Sequence, residues 1–166
     1  MRIIGVDPGL VSCGVGIVDS LSNNKGHRDD IKFIHTEVIK PPKGDLSKRL
    51  LFLHDHLVDI IKRQNAIVMA IEDQFYGKNV QTAFKTGQAR GAALLAAARC
   101  GLDTTLFPPA RVKLAIVGNG RASKEQVRHM VGQILNLKQL PSSLDCSDAL
   151  AVAICRAFTP NLVNSA

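Results

Sequence analysis

The chain has 166 residues, a length that suits one compact domain. Lys and Arg outnumber Asp and Glu by 21 to 14, for a formal charge of +7 and a pI of about 9.5. That balance favours a polyanionic partner and argues against a small cationic substrate. No apolar run reaches the ~18 residues that span a bilayer. An acid interrupts Met1-Arg2-Ile3-Ile4-Gly5-Val6-Asp7 too early for a signal peptide. The expected location is the cytoplasm, with no membrane partner.

Arg2–Val6 reads as a buried strand that Asp7-Pro8-Gly9 closes in a turn. A second strand spans Cys13–Val18, and its glycines suggest close backbone approach. Polar Ser20–Asp30 is expected to be a hairpin loop, followed by a third strand over Ile31–Ile39. Short links make the three an antiparallel meander. Asp45 can cap a helix reaching about Gln64, with Leu46, Leu50, Leu53, Leu57, Ile60 and Ile61 as its apolar stripe. The apolar run Ala66–Ile71 reads as a strand covered on both faces, ending at Glu72. A long alanine-rich helix, Asn79–Cys100, contains Gly87 and Gly91. Thr104–Phe107 is a fifth strand, and Pro108-Pro109 opens a short helix that stops near Gly118. Ser123 and Gln126 form a capping box for the next helix. The last helix is announced by Ser142-x-x-Asp145 and runs through Ala149–Ala157. A meander followed by strand–helix alternation indicates an α/β sheet with antiparallel and parallel parts. The domain is expected over residues 1–158, with 159–166 a flexible tail.

The acids stand out by position. Asp7 ends the first strand and Glu72 the fourth, while Asp145 and Asp148 share one face at the start of the last helix. Taken singly, Asp7 suits a turn, Asp145 a helix N-terminus, and Glu72 a solvated strand end. Together they are four acids at element ends beside buried runs, in a chain that is otherwise basic. Such a cluster would repel itself unless a cation joined it. All-oxygen ligation selects Mg²⁺ or Mn²⁺ over zinc. Two ions about 3.5–4 Å apart can clamp a phosphodiester, one activating water and the other stabilising the leaving oxygen.

Cys13, Cys100, Cys146 and Cys155 form no metal-like spacing and read as buried thiols. The five histidines are scattered and read as structural or surface residues. Gly118-Asn119-Gly120 lacks the spacing and lysine of a P-loop. Lys78, Lys85, Arg90, Arg111, Lys113, Arg121, Lys124 and Arg128 flank the acids and could neutralise phosphates.

The stretch Ile71-Glu72-Asp73-Gln74-Phe75-Tyr76-Gly77-Lys78-Asn79, continuing to Gly87-Gln88-Ala89-Arg90-Gly91, closely resembles the RuvC family of Holliday-junction resolvases. Ile4–Gly9 matches that family's first motif, Val117-Gly118 with Lys124-x-Gln126-Val127 its basic segment, and Asp145–Ala151 its last. Cys146 and Ser147 stand where small apolar residues are common, and the Asn23–Asp30 loop looks longer than usual. The resemblance implies an RNase H-like fold with a mixed five-stranded sheet. It implies a homodimer that nicks four-way DNA junctions with Mg²⁺ or Mn²⁺, two ions per site, leaving 5′-phosphate and 3′-hydroxyl ends. The RuvA and RuvB branch-migration proteins are implied partners. Asp7, Glu72, Asp145 and Asp148 fall on the family's catalytic, metal-holding acids; Lys113 and Lys124 fall on lysines that handle DNA, and Phe75 on an aromatic that engages bases. Lys78 is a further candidate DNA contact. Two alternatives stay open: a nuclease for RNA–DNA hybrids, and a junction-binding module without catalysis. An actin-like ATPase shares the Asp-x-Gly strand end but needs two domains. Within the long helix, Gly91, Ala92, Ala93, Ala96 and Ala97 could admit a second copy, or pack on the helix's own sheet.

Overall fold

The computed structural model describes residues 1–21, 30–73 and 80–159. Among these residues the strands are β1 (Arg2–Asp7), β2 (Cys13–Ser20), β3 (Ile31–Ile39), β4 (Val68–Glu72) and β5 (Asp103–Phe107). The helices are α1 (Leu46–Gln64), α2 (Val80–Arg99), α3 (Pro109–Val117), α4 (Lys124–Ile134) and α5 (Leu144–Ala157). The sheet order is β3-β2-β1-β4-β5. β1 pairs antiparallel with β2, and β2 with β3; β4 lies parallel to both β1 and β5. The expected meander plus parallel strands is therefore present.

Strand alternation sorts the core into two halves. Ile4, Val6, Val15, Ile17, Met69 and Ile71 pack with the buried residues of α1 and α2. Ile3, Val18 and Ala70 pack with α3, α4 and α5 on the opposite face. α5 is buried on every side from Cys146 to Ala157, which suits its nearly uninterrupted small and apolar sequence. Cys13, Cys146 and Cys155 are buried free thiols, and Cys100 is half-buried.

Local signals fix the helix ends. Asp45 accepts from the amides of Ser47 and Lys48, and Asn65 closes α1 in the left-handed region at φ 54°. The Ser123–Gln126 capping box is formed in full. Two of the boundaries that differ from expectation have a local cause. α5 is capped by Ser143, which accepts from the Cys146 amide, so the helix begins one residue later than Ser142 would set it. β4 begins at Val68, because Ile67 lies outside the ladder and is exposed. In α2, Ala92, Ala93, Ala96 and Ala97 pack into the chain's own core, the second of the two readings the sequence left open. Most of the expected Ser20–Asp30 loop, Asn79, and the tail beyond Thr159 lie outside the described residues.

Candidate active site

Asp7 and Glu72 end neighbouring parallel strands. The register pairs Val6 with Ile71, so the two acids stand one step further along each strand. Alternation also sets their direction. Ile3 and Ala70 face α5, and Asp7 and Glu72 share their parity, so both carboxylates project to the α5 side. Each is held at the rim of the core, Asp7 9% and Glu72 8% exposed.

α5 brings the other acids because β1 and β2 offer it a glycine floor. A Cβ on Gly5 would stand 2.1 Å from the Ala149 carbonyl oxygen. On Gly14 it would stand 2.1 Å from that of Asp145, and on Gly16 2.6 Å from the Leu150 amide nitrogen. No side chain fits in that space, so the helix rests directly on the strand backbones. Its first turn is thereby laid beside Asp7, which pairs with Gly14 across β1 and β2. Asp148, 9% exposed, accepts a 2.7 Å hydrogen bond from Lys124 Nζ. Lys124 comes from the first position of α4, and its capping box fixes where that position sits.

The electrostatics are those of a crowded acid cluster. Burial, then the charges of Glu72 and Asp148, push the Asp7 carboxyl up to about 8, and a hydrogen bond with Glu72 adds to the shift. Lys124 opposes it. For Lys124 itself, burial disfavours the ammonium. The hydrogen bond to Asp148 and the charges of Asp148, Asp7 and Glu72 outweigh burial and raise its pKa. Asp145 is half-buried; its charge is felt with that of Asp7 at the Cys13 thiol, which burial chiefly pushes up to about 12. Asp7, Glu72, Asp148 and Lys124 thus form one interacting group, with Asp145 beside it at the first turn of α5. Among the described residues, no three His, Cys, Asp or Glu side chains converge as a ready-made metal cage.

A cleft of about 500 Å³ opens over the group, lined by Glu72, Asp73, Lys113, Lys124 and Asp148 among others. Lys113 and Lys124 thus stand on one cleft with Glu72 and Asp148. Arg90, one of the basic residues that could neutralise phosphates, pairs with Asp73. Arg111 lies over the Phe107 ring, 5.7 Å from its centroid. Phe75 and Lys78 lie outside the described residues. The Asp73–Arg90 pair was not legible in the sequence, which gives no periodic signal for a bond across 17 positions.

The model for "Crossover junction endodeoxyribonuclease RuvC" matches residues 3–156. The chain belongs to the RuvC family. A RuvC of Bifidobacterium adolescentis is 44% identical over 161 residues, covering 96% of this chain and 81% of the relative. That of Clavibacter michiganensis is 43% identical over 158 residues, covering 95% and 76%. The structure of Thermus thermophilus RuvC in complex with Holliday junction substrate superposes with a TM-score of 0.86. It is 35% identical, with 96% of this chain and 94% of that one covered. The mixed sheet is thus the RNase H-like fold of RuvC, and RuvC proteins are metal-dependent nucleases.

The raised Asp7 carboxyl has a consequence for stability. The folded chain holds this proton more tightly than the unfolded chain, so the contribution is complete below the ordinary carboxylate range. It is lost as pH climbs toward about 8, above which the metal-free fold carries the full cost of the ionised group. In EDTA, Asp7→Asn is therefore expected to match the parent near pH 4 and to exceed its stability increasingly as pH rises, by several kcal/mol near pH 8. Thermal melts across that range check this; a gap independent of pH would remove the coupling as its cause.

Proposed function

We infer that this chain cuts four-way DNA junctions by hydrolysing one phosphodiester per active site, with Asp7, Glu72, Asp145 and Asp148 as the acids that hold the metal. The observation that carries the reading is the clustering of three nearly buried carboxylates, Asp7, Glu72 and Asp148, with Lys124 at the ends of β1 and β4, beside a cleft that Glu72, Asp148, Lys113 and Lys124 line. The donors are all oxygen, and burial with mutual charge leaves them short of positive counter-charge, which suits Mg²⁺ or Mn²⁺, two ions per site. When bound, the ions supply Lewis acidity toward the attacking water and the leaving oxygen. The chain supplies the rest. The glycine-seated α5 and the paired strand ends hold the acids at fixed places, and the cleft orients the strand to be cut. Lys113 and Lys124 neutralise the phosphate as its charge grows. Cleavage of the P–O3′ bond leaves 5′-phosphate and 3′-hydroxyl ends that a ligase can join. Phe75 and Lys78 are further proposed DNA contacts, by resemblance.

The working form is a homodimer. Two matched nicks on opposing strands need two sites, and twofold symmetry supplies them. The surface that supports this is the outer face of α1 and α2, where Leu51, Phe84 and Leu95 are exposed. There a groove is lined by Leu50, Leu51, His54, Gln88, Gly91, Ala92 and Leu95. The RuvA and RuvB proteins are proposed as partners on family grounds alone, and the cytoplasm as the location. Among the described residues no helix is long and apolar enough to cross a membrane.

A supercoiled plasmid that extrudes a cruciform tests the reading. The chain with Mn²⁺ is expected to linearise it and to leave a plasmid without the cruciform uncut. A heterodimer with one Asp7→Asn subunit is expected to give mainly nicked circle. Cutting of an RNA–DNA hybrid in preference to the junction would favour the other nuclease reading; binding without cutting would favour the non-catalytic one.

Lys113→Ala and Lys124→Ala are each expected to slow single-turnover cutting by about a hundredfold, since each loses a charge beside the scissile phosphate. Lys48→Ala, at an exposed site, is expected to change the rate less than about twofold. Equal losses at Lys48 would remove the special role of the cleft lysines.

A further inference from the structure

Asp73 directly follows Glu72 and lines the same cleft, yet its carboxylate is held by Arg90 of α2. The Asp73 side chain is 14% exposed and that of Arg90 31%, so the pair is better shielded from water than an ordinary surface bridge. The Asp73 amide also donates to the Phe107 carbonyl at 2.9 Å. The backbone just past Glu72 is thus tied to β5, and its next side chain to α2. Ala89, beside Arg90, is fully buried in the core between α2 and the sheet, which fixes the place from which the guanidinium reaches. Two neighbouring acids on one cleft therefore have different surroundings. Glu72 shares the Asp7 cluster, and Asp73 is turned onto a cation of its own.

We propose that Arg90 is a positioning residue for the cutting reaction: by holding Asp73 it steadies the strand end from which Glu72 presents its carboxylate to Asp7 and Asp148, and it keeps Asp73 out of the ligand set. The inference rests on the reading of Glu72 as a metal ligand.

The sign of one measurement separates this from a plain charge effect. Removing a cation near a metal site should strengthen metal binding by Coulomb's law. Releasing the clamp should weaken it, because a ligand is displaced. Mn²⁺ alone, titrated calorimetrically into the full chain without DNA, is expected to bind Arg90→Gln about tenfold more weakly than the parent. Single-turnover cutting of the junction is expected to fall by a similar factor, with junction affinity unchanged. Mn²⁺ affinity that is equal or higher in Arg90→Gln overturns the proposal. So does a loss confined to junction affinity, which would make Arg90 a phosphate contact. Should Arg90→Gln fail to fold, Arg90→Lys carries the test. It keeps the charge but loses the fork, so weaker Mn²⁺ binding again reports a displaced ligand and parental affinity overturns the clamp. Glu72→Gln is titrated alongside. If it loses Mn²⁺ binding while the Arg90 variants do not, the clamp alone fails. If it binds Mn²⁺ like the parent, the assignment of Glu72 fails and takes the clamp with it.

Discussion

Asp7→Asn, Glu72→Gln, Asp145→Asn and Asp148→Asn are each expected to lower junction cutting by about a thousandfold or more while leaving junction affinity within about threefold. The two halves of this result have separate causes. Cutting depends on holding cations where charge develops, and an amide cannot replace a carboxylate there. Affinity depends on Lys and Arg neutralising phosphates, and the chain has 21 of them. Removing one acid from the cleft can only ease the approach of a phosphate. The four variants are not equivalent. Asp7, Glu72 and Asp148 interact directly, and Lys124 stands on Asp148 at 2.7 Å. Asp148→Asn would therefore also loosen the lysine and should lose the most. Asp145 borders the cluster, so its variant tests whether the site extends to the first turn of α5. Single-turnover rates and binding curves on one synthetic junction decide the matter. Near-parental turnover in any two of the four would sink the assignment of the acids.

Part of the cluster was legible because Asp7 and Glu72 each close an apolar run and Asp145 and Asp148 precede one. Ile3-Ile4-Gly5-Val6 and Met69-Ala70-Ile71 can only be buried strands, and a carboxylate at the end of such a run must sit at the rim of a core. The glycines of β2 also announced close approach, and α5 is what approaches. What the sequence left open was phase and distance. Ser142 and Ser143 can both cap a helix, and only the chain path chooses Ser143. α2 is so rich in alanine that its apolar stripe has no clear edge. The buried stripe, Ala89, Ala92, Ala93, Ala96 and Ala97, consists of the small residues, while the larger Phe84 and Leu95 are left outside. Arg90 looked like its neighbours Lys78 and Lys85, since one chain carries no sign of a partner on another element. The parity that turns both Asp7 and Glu72 toward α5 needed the sheet order, which periodicity does not contain.

The floor beneath α5 yields the other large effect. Gly5→Val is expected to abolish folding of the chain. Even the first atom of the new side chain would stand 2.1 Å from the Ala149 carbonyl oxygen and 2.7 Å from the Ala153 amide nitrogen. Both are helix backbone, which cannot rotate away as a side-chain tip could. Overpacking of an adaptable core costs about 1–3 kcal/mol. Here α5 would have to lift as a rigid body, and it is buried from Cys146 to Ala157 against the sheet, α3 and α4. A loss beyond that range approaches the entire stability of a typical domain, about 5–15 kcal/mol. Gly14→Ala presses on the Asp145 carbonyl, near the free end of the same helix, where a tilt is less costly. That variant is expected to fold with a lowered Tm and to lose about a hundredfold in cutting, the effect of moving catalytic groups by roughly 1 Å. Gly87→Ala in α2 is the control, because nothing lies within 4 Å of its Cβ position. It should be neutral or stabilising by up to about 1 kcal/mol. Soluble expression, thermal melts and single-turnover rates distinguish the three. A folded, fully active Gly14→Ala would show that the seat of α5 does not set the geometry of the acids.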